Sequence, residues 1–484
     1  MGNLWFFHKR DEEMNSVGLA MSGNMLAERF VDYSVLAKRL GSTTFKQTYG
    51  IDYAYLAGSM YRRTSSKEMV VALGKAGMLG FLGIGGLSPE ATEDDINYIQ
   101  AQLNANQAYG VNLICNLNHP EKEMRTVELF LKKGIRNVEA AAFLQITPAL
   151  VYYRLKGFYQ DDNGNIANRH HLIAKVSRPE VASAFMSPPP DEMVNALLAQ
   201  HKITEQQARW ARYLPMCDDI CVEADSGGHT DRGNAMVLMP AMQAMRNQIM
   251  NQHRYRRQPC IGLAGGIGTP EAVAAAFIMG ADFVMTGSIN QCTVEAGTSD
   301  SVKDLLQNMN IQDTEYAPAG DMFEIGASVQ VLKKGVFFPA RANRLYMLYS
   351  HYDSIDAIPK NIQRQIQEHY FRKSFAEVWQ ETRAYYEKTA RKHVVDQAEQ
   401  NPKTKMAMIF RWYFLHCSRL AFNGDLSRRI DYQVHTGPAL GAFNRWVKGS
   451  LLENWRRRRV DKIGIKLMHD TARLLHQRLS TIFD

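Results

Sequence analysis

The chain has 484 residues, 45% hydrophobic and 22% charged, which suits a globular protein with a sizeable core: roughly three ordinary domains, or one large barrel plus an addition. No apolar run approaches the ~18 residues needed to cross a bilayer, so no membrane span is expected. The first charges follow a very short apolar segment, Gly2 lacks the downstream Ser or Thr of a myristoylation site, and six cysteines without a Cys-x-x-Cys pair sit mostly in apolar runs; no secretion signal is expected, and the thiols read as reduced core residues of a cytoplasmic protein.

Up to residue 48 the sequence lacks strong periodicity, and 1–48 is expected to be an N-terminal extension. A rhythm then begins. Residues 53–57 read as a short strand ending at Gly58-Ser59-Met60, before a helix with Ser65 or Ser66 as N-cap and apolar positions at Met69, Val70, Leu73 and Ala76. Residues 78–86 read as a strand and glycine turn, followed by a helix over about 92–104. A third strand spans 109–116, with an amphipathic helix over 121–133. A fourth covers 137–142, with a helix starting near Pro148, and a fifth covers 171–177. The sixth, Ile220-Cys-Val, stops abruptly at Glu223-Ala-Asp-Ser-Gly-Gly-His-Thr. The seventh, 260–268, feeds a helix with Thr269 as N-cap and Pro270 in its first turn, and the eighth covers 283–288, with a helix near 301–308 beyond it.

Eight short strands alternating with helices predict an α/β fold, a closed TIM (β/α)8 barrel over 49–313. Gly83-Ile-Gly-Gly does not meet the Gly-x-Gly-x-x-Gly spacing of a dinucleotide turn. The connection after the fifth strand is unusually long, and the helical material at about 186–214 is a candidate lid over the site. Beyond 314 the strand rhythm stops. The remainder, 314–484, reads as a C-terminal helical domain rich in aromatics and arginine. From Arg341 onward 26 Lys and Arg face 14 Asp and Glu, a balance of +12 against −4 for the rest. That excess suits either a solvated helical surface or a docking face for an acidic partner; Arg456–Arg459 is its densest run.

In such a barrel the strand ends converge on one site, and the loops after strands seven and eight commonly bind phosphate. Here they offer Gly265, Gly266, Thr286, Gly287 and Ser288. Gly58 and Met60 can contact a ring face. Asn112 and Lys175 are polar residues in apolar strands; Lys175 either meets an anionic partner, such as the N1–C2 edge of a reduced flavin, or points outward. Asp225 can accept hydrogen bonds from a polyol or ribityl chain. Gly227 and Gly228 let a flat ring approach the backbone, and His229 is the candidate catalytic proton donor. No group has metal-ligand spacing, and Cys292 has no base beside it in the sequence.

The segments Tyr55-Leu-Ala-Gly-Ser-Met, Tyr109-Gly-Val-Asn-Leu, Val138-Glu-Ala-Ala-Ala, Glu223-Ala-Asp-Ser-Gly-Gly-His-Thr, Ala264-Gly-Gly-Ile-Gly-Thr-Pro and Val284-Met-Thr-Gly-Ser resemble the flavin-dependent barrels of the nitronate monooxygenase and enoyl-reductase superfamily. With Ala317-Pro-Ala-Gly-Asp-Met-Phe-Glu, Phe338-Pro-Ala-Arg-Ala-Asn and Gly437-Pro-Ala-Leu-Gly-Ala-Phe-Asn, the chain is similar to trans-acting enoyl reductases of polyunsaturated fatty acid synthases and of polyketide synthases lacking built-in acyltransferases. The resemblance implies FMN at the strand ends, His229 beside it and Asp225 on its ribityl hydroxyls. NADPH or NADH would reduce the flavin, whose N5 would pass hydride to Cβ of an unsaturated thioester carried by an acyl carrier protein, in a monomer or a homodimer. A nitronate-oxidising flavoenzyme is the competing enzyme. A nucleic-acid-binding scaffold is disfavoured, because the arginines lie among buried-looking aromatics without a recognisable module.

Overall fold

The computed structural model describes residues 31–483 apart from 118, 389 and 390, so the expectations for the first thirty residues lie outside the described chain. Eight parallel strands close on themselves: β1 (Tyr55–Ala57), β2 (Leu79–Leu82), β3 (Gly110–Ile114), β4 (Asn137–Ala141), β5 (His171–Val176), β6 (Asp219–Glu223), β7 (Cys260–Ala264) and β8 (Val284–Thr286), with β8 paired back to β1. Seven fall inside a segment expected to be a strand, and β6 extends the expected run Ile220–Val222 by one residue at each end. The helices start at caps visible in the sequence: Ser66 accepts from the Met69 N–H and Thr269 from the Ala272 N–H.

The barrel interior is layered. Helix Thr43–Tyr49 plugs the N-terminal end, with Phe45 stacked on Phe283 at 4.1 Å and the Tyr49 hydroxyl donating to Asp219 Oδ2 at 2.8 Å. Above the plug, Leu56, Leu79, Phe81, Ile173, Cys221, Ala264 and Met285 form one apolar cluster. Glycine makes room for the rings: a Cβ on Gly262 would lie 2.3 Å from Phe283, and one on Gly110 would lie 2.4 Å from Phe81. Strand side chains alternate, so two residues further on the same strands face the same interior. Leu56, Ile173 and Cys221 thereby give way to Gly58, Lys175 and Glu223, and the core becomes the floor of a polar mouth.

Two expectations about the connections are corrected. The helical material after β5, now Asp191–Ala199 and Glu205–Trp210, is not a lid. Helix Pro179–Met186 begins three residues after β5 ends, and the extra helices leave from the far end of that helix. They return to the start of β6 and pack on helix Pro148–Lys156. Only a segment leaving from a strand's carboxyl end overhangs the mouth.

The second correction concerns the tail. It is not wholly helical: Thr314–Pro318 and Ser328–Leu332 pair antiparallel, and the latter also pairs with Gly228–His229 at the end of the sixth unit. Nor is it one appended domain. Most buried residues from Ala317 to Cys417 share a core of their own, whereas Leu332, Val336, Tyr432, Leu440, Phe443, Trp455, Val460, Ile463 and Leu467 join the core around the barrel. The final helix, Val460–Phe483, packs between Pro270–Ile278 and Lys67–Lys75, the helices of the seventh and first units. Gly464 lets it close on the barrel: a Cβ there would lie 2.6 Å from Met78 Sδ and 3.1 Å from Tyr55. It takes the place of the eighth barrel helix, so the aromatic-rich segment is an insertion inside the eighth unit.

The arginine run is partly built into the structure: Arg458 is buried, while Arg456, Arg457 and Arg459 are exposed. Arg458 is 1% exposed; its guanidinium donates to the carbonyls of Leu452 (2.7 Å) and Glu453 (3.1 Å) and lies 5.2 Å from the Phe443 ring. Arg459 pairs with Glu295 at 2.7 Å, and Arg456 lies over Trp455 and 3.4 Å from Asp304. Arg458→Ala empties the space of a buried side chain and removes its two hydrogen bonds, and is expected to destabilise the protein by about 2–3 kcal/mol, against roughly 0.5 kcal/mol or less for the exposed Arg457→Ala. Chemical denaturation of the two variants measures the difference.

Candidate active site

At the carboxyl ends of the strands the floor of the mouth is a buried charge cluster. Lys175 on β5 points inward, which decides between its two possible orientations. Its Nζ lies 3.2 Å from Glu139 Oε1 on β4 and 3.5 Å from Glu223 Oε1 on β6. Glu139 is fully buried and also accepts from the Ser59 N–H (2.8 Å) and hydroxyl (3.0 Å). Burial alone would lower the Lys175 pKa; the charges of Glu223 and Glu139 outweigh it and raise that pKa above the ordinary lysine value. One ammonium between two carboxylates leaves the floor with a surplus negative charge.

The neighbouring candidates frame this floor. Gly58 sits against Met285, with its N–H donating to the Thr286 carbonyl at 3.0 Å, and the backbone of Met60 presses on Gly83. Asn112 is buried and accepts from the Ile84 N–H at 2.9 Å. The Thr286 side chain is a strut: its hydroxyl is engaged by Tyr55 (2.8 Å), Asn290 (3.0 Å) and the Leu56 carbonyl (3.3 Å), so it does not reach the rim.

The rim at β7 and β8 is open. A Cβ on Gly266 or Gly287 would have nothing within 4 Å, although Gly265 is pressed against the Ala224 carbonyl. Ser288 accepts from the Gly437 N–H at 2.9 Å, which brings the uncapped N-terminus of helix Pro438–Trp446 to this rim. Two open glycine turns and an extra helix N-terminus are the usual parts of a barrel phosphate site. This cradle fits the phosphate of a flavin mononucleotide, and Lys175 supplies a cation on the floor.

The paired glycines are explained by the chain itself. A Cβ on Gly227 would lie 2.6 Å from Thr436, and Gly228 has a φ of 90° with His435 Nδ1 3.6 Å from its would-be Cβ. Asp225 is clasped by the Thr230 hydroxyl (2.7 Å), the Tyr316 hydroxyl and, at 3.4 Å, the Gln330 amide. Both its oxygens thus have partners from the chain, and the clasp joins the barrel to the inserted hairpin.

His229 stands half exposed on the short strand that pairs with this hairpin. Its Nε2 lies 2.9 Å from Asp321 Oδ1 in the insertion. Partial desolvation works against the charged ring, but the hydrogen bond and charge of Asp321 prevail and raise the His229 pKa above the ordinary histidine value. Nearby His435 goes the other way: burial, aided by the charge on His229, lowers it to about 4. Of the two imidazoles, His229 is the more readily protonated, and its Nδ1 edge is not the one that meets Asp321.

Sequence reasoning missed Glu139, Glu223, Asp321, Tyr316 and the Gly437-Pro438 helix start as site residues. An acid inside the apolar run 137–141 was a usable signal for Glu139. For Asp321, 92 residues from His229, there was none. Cys292 is buried and donates to the Lys303 carbonyl, with burial raising its pKa to about 11, so it is no nucleophile. Among the described residues no group of His, Cys, Asp and Glu is placed to hold a metal ion, and no helix is long and apolar enough to cross a membrane.

Residues 42–322, the barrel and the start of the hairpin, match the nitronate monooxygenase family. The chain belongs to that family. Residues 352–432, within the insertion, match the inserted helical domain of [acyl-carrier-protein] S-malonyltransferase. Among relatives of this nitronate monooxygenase-family chain, polyketide biosynthesis protein PksE of Bacillus subtilis is 55% identical over 96% of the chain. One component of the polyunsaturated fatty acid synthase of Thraustochytrium is 41% identical over 86%. The chain spans only 60% and 28% of those two proteins. The enoyl reductase domain of MlnA, from the macrolactin cluster of Bacillus amyloliquefaciens, superposes with a TM-score of 0.88 at 45% identity, covering 92% of this chain and 99% of that domain.

Proposed function

We propose that this chain is a flavin-dependent enoyl reductase that reduces the α,β-double bond of thioesters carried by an acyl carrier protein, in polyketide or polyunsaturated fatty acid biosynthesis. The observation that carries it is the His229–Asp321 pair, in the same mouth as the Lys175 charge cluster and the open glycine rim. Bound FMN supplies the two-electron relay between NADPH and the double bond. The chain's residues do the rest. Gly266, Gly287 and the Gly437 helix start hold the phosphate, and Lys175 offers a cation to the electron-rich ring edge. Asp321 keeps the His229 ring charged and turned, so that its Nδ1–H delivers a proton to the thioester Cα. The insertion's likeness to a domain of an acyl-carrier-protein transferase supports a carrier-bound substrate, and the six free cysteines suit the cytoplasm.

The family name supports a second reading, nitronate oxidation. The two are separated by anaerobic half-reactions of the purified yellow protein. Reoxidation of the NADPH-reduced flavin by a crotonyl thioester, with no reduction of the oxidised flavin by a nitronate, which is an electron donor, is the expected result; the reverse pattern overturns the enoyl reductase assignment.

A further inference from the structure

Arg232 lies three residues beyond His229, on the mouth side of the sixth unit. Its backbone is left-handed, with a φ of 57°. For a residue with a side chain this conformation is strained and persists only where the surroundings enforce it. They do so here. The Arg232 N–H donates to Thr230 Oγ1 at 2.9 Å, and Thr230 in turn donates to Asp225. The guanidinium lies 4.0 Å from the centre of the Tyr316 ring and donates through Nη2 to Ser328 Oγ at 2.9 Å. A barrel loop and the inserted hairpin thus hold one cation from two sides.

That cation remains exposed, and among the described residues no carboxylate pairs with it. The acids around it are engaged elsewhere: Asp231 by Ser177 and Arg178, Asp225 by Thr230 and Tyr316, and Glu315 by Lys333. One nitrogen is used by Ser328, and a guanidinium has five N–H donors in a planar fork. A stacked, pre-oriented fork without an acid partner, beside a proton donor, is built for a phosphate oxygen pair.

We propose that Arg232 anchors the phosphate ester of a reactant entering this mouth. Two sources share that chemistry: the phosphopantetheine arm of a carrier-bound thioester and the phosphates of NADPH. The inference rests on the enoyl reductase reading for the nature of the reactants, while the contact itself is a binding event that is measured without turnover.

The test uses the flavin-loaded full chain as wild type, Arg232→Gln and Arg232→Lys, with matched flavin spectra and melting temperatures. KM is compared for crotonyl-pantetheine and crotonyl-4′-phosphopantetheine, and the NADPH Kd is read from anaerobic flavin reduction. Loss of one charged hydrogen-bonding group is expected to weaken the phosphate-bearing reactant by about 10–100-fold in Arg232→Gln, with Lys between. An effect confined to the phosphopantetheine thioester names the arm as the source; one confined to NADPH names the nucleotide. Unchanged values for both, or an equal loss with pantetheine and phosphopantetheine thioesters, overturns the anchor. Should the wild type reduce no enoyl thioester, the enoyl reductase reading falls by itself. Calorimetric titration of wild type and Arg232→Gln with 4′-phosphopantetheine and NADPH then still decides the anchor: tighter binding to wild type supports it, and equal binding overturns it.

Discussion

Replacing His229 by Gln should lower turnover of an enoyl thioester by roughly 10²–10⁴-fold, the usual span for loss of a positioned proton donor, while leaving anaerobic reduction of the flavin by NADPH little changed. The split follows from geometry. His229 belongs to the short strand after β6 and pairs with Asp321 of the insertion, whereas the open glycines proposed to hold the phosphate lie on the loops after β7 and β8. Asp321→Asn separates donation from mere positioning. The carboxylate raises the His229 pKa, and a proton donor must be charged to act, so activity is present at low pH and lost as pH rises through that pKa. Removing the negative charge lowers the pKa, and the descending limb of the kcat profile should therefore move to lower pH in Asp321→Asn. A variant that lost rate uniformly, with the limb in place, would show that Asp321 only braces the insertion. His435 does not confuse the profile, because its pKa of about 4 keeps it neutral across the range.

How much of this site was legible in the sequence depended on whether a residue's partner was local. The barrel was legible because each strand carries its own apolar run and stops at its own glycine turn. The open rim at Gly266 and Gly287 was legible for the same reason. Roles set by distant chain were not. Gly227 is a glycine because Thr436 presses on it; Thr286 looks like a rim hydroxyl but spends its bonds inside the barrel on Tyr55 and Asn290. The arginine run looks like a docking face, yet Arg458 is buried against backbone carbonyls. The insertion was misread as an appendage because nothing in 460–483 marks it as the missing barrel helix except amphipathic spacing, which any packed helix shows. Closing the barrel with the last helix has a functional consequence. Asp321, Tyr316, Gln330 and the Gly437 helix start all reach the mouth from chain threaded through the eighth unit, so the insertion helps build the site.

Lys175→Met should be the most destabilising single change at the mouth. It leaves Glu139, which has no solvent exposure, with only Ser59 as a donor, and it leaves Glu223 facing a second carboxylate across the floor. Removing one partner of a buried ion pair typically costs about 3–5 kcal/mol, because the remaining charge has no compensation. The same change turns a floor with one surplus negative charge into one with two, so an electron-rich ring should be held less tightly, and the variant is expected to shed its flavin on desalting. The double variant Glu139→Gln with Lys175→Met distinguishes charge from shape. It removes both members of the pair, keeps the Ser59 hydrogen bonds available to an amide, and should recover part of the lost stability. Two residues in direct contact commonly show coupling of about 0.5–3 kcal/mol. Denaturant titration of the flavin-free wild type, both single variants and the double variant measures that coupling. Strict additivity of the two single changes would mean that water at the mouth already screens Lys175 from Glu139. The cation would then belong to Glu223 and the ligand above it, and the loss of flavin would persist in the double variant without any recovery of stability.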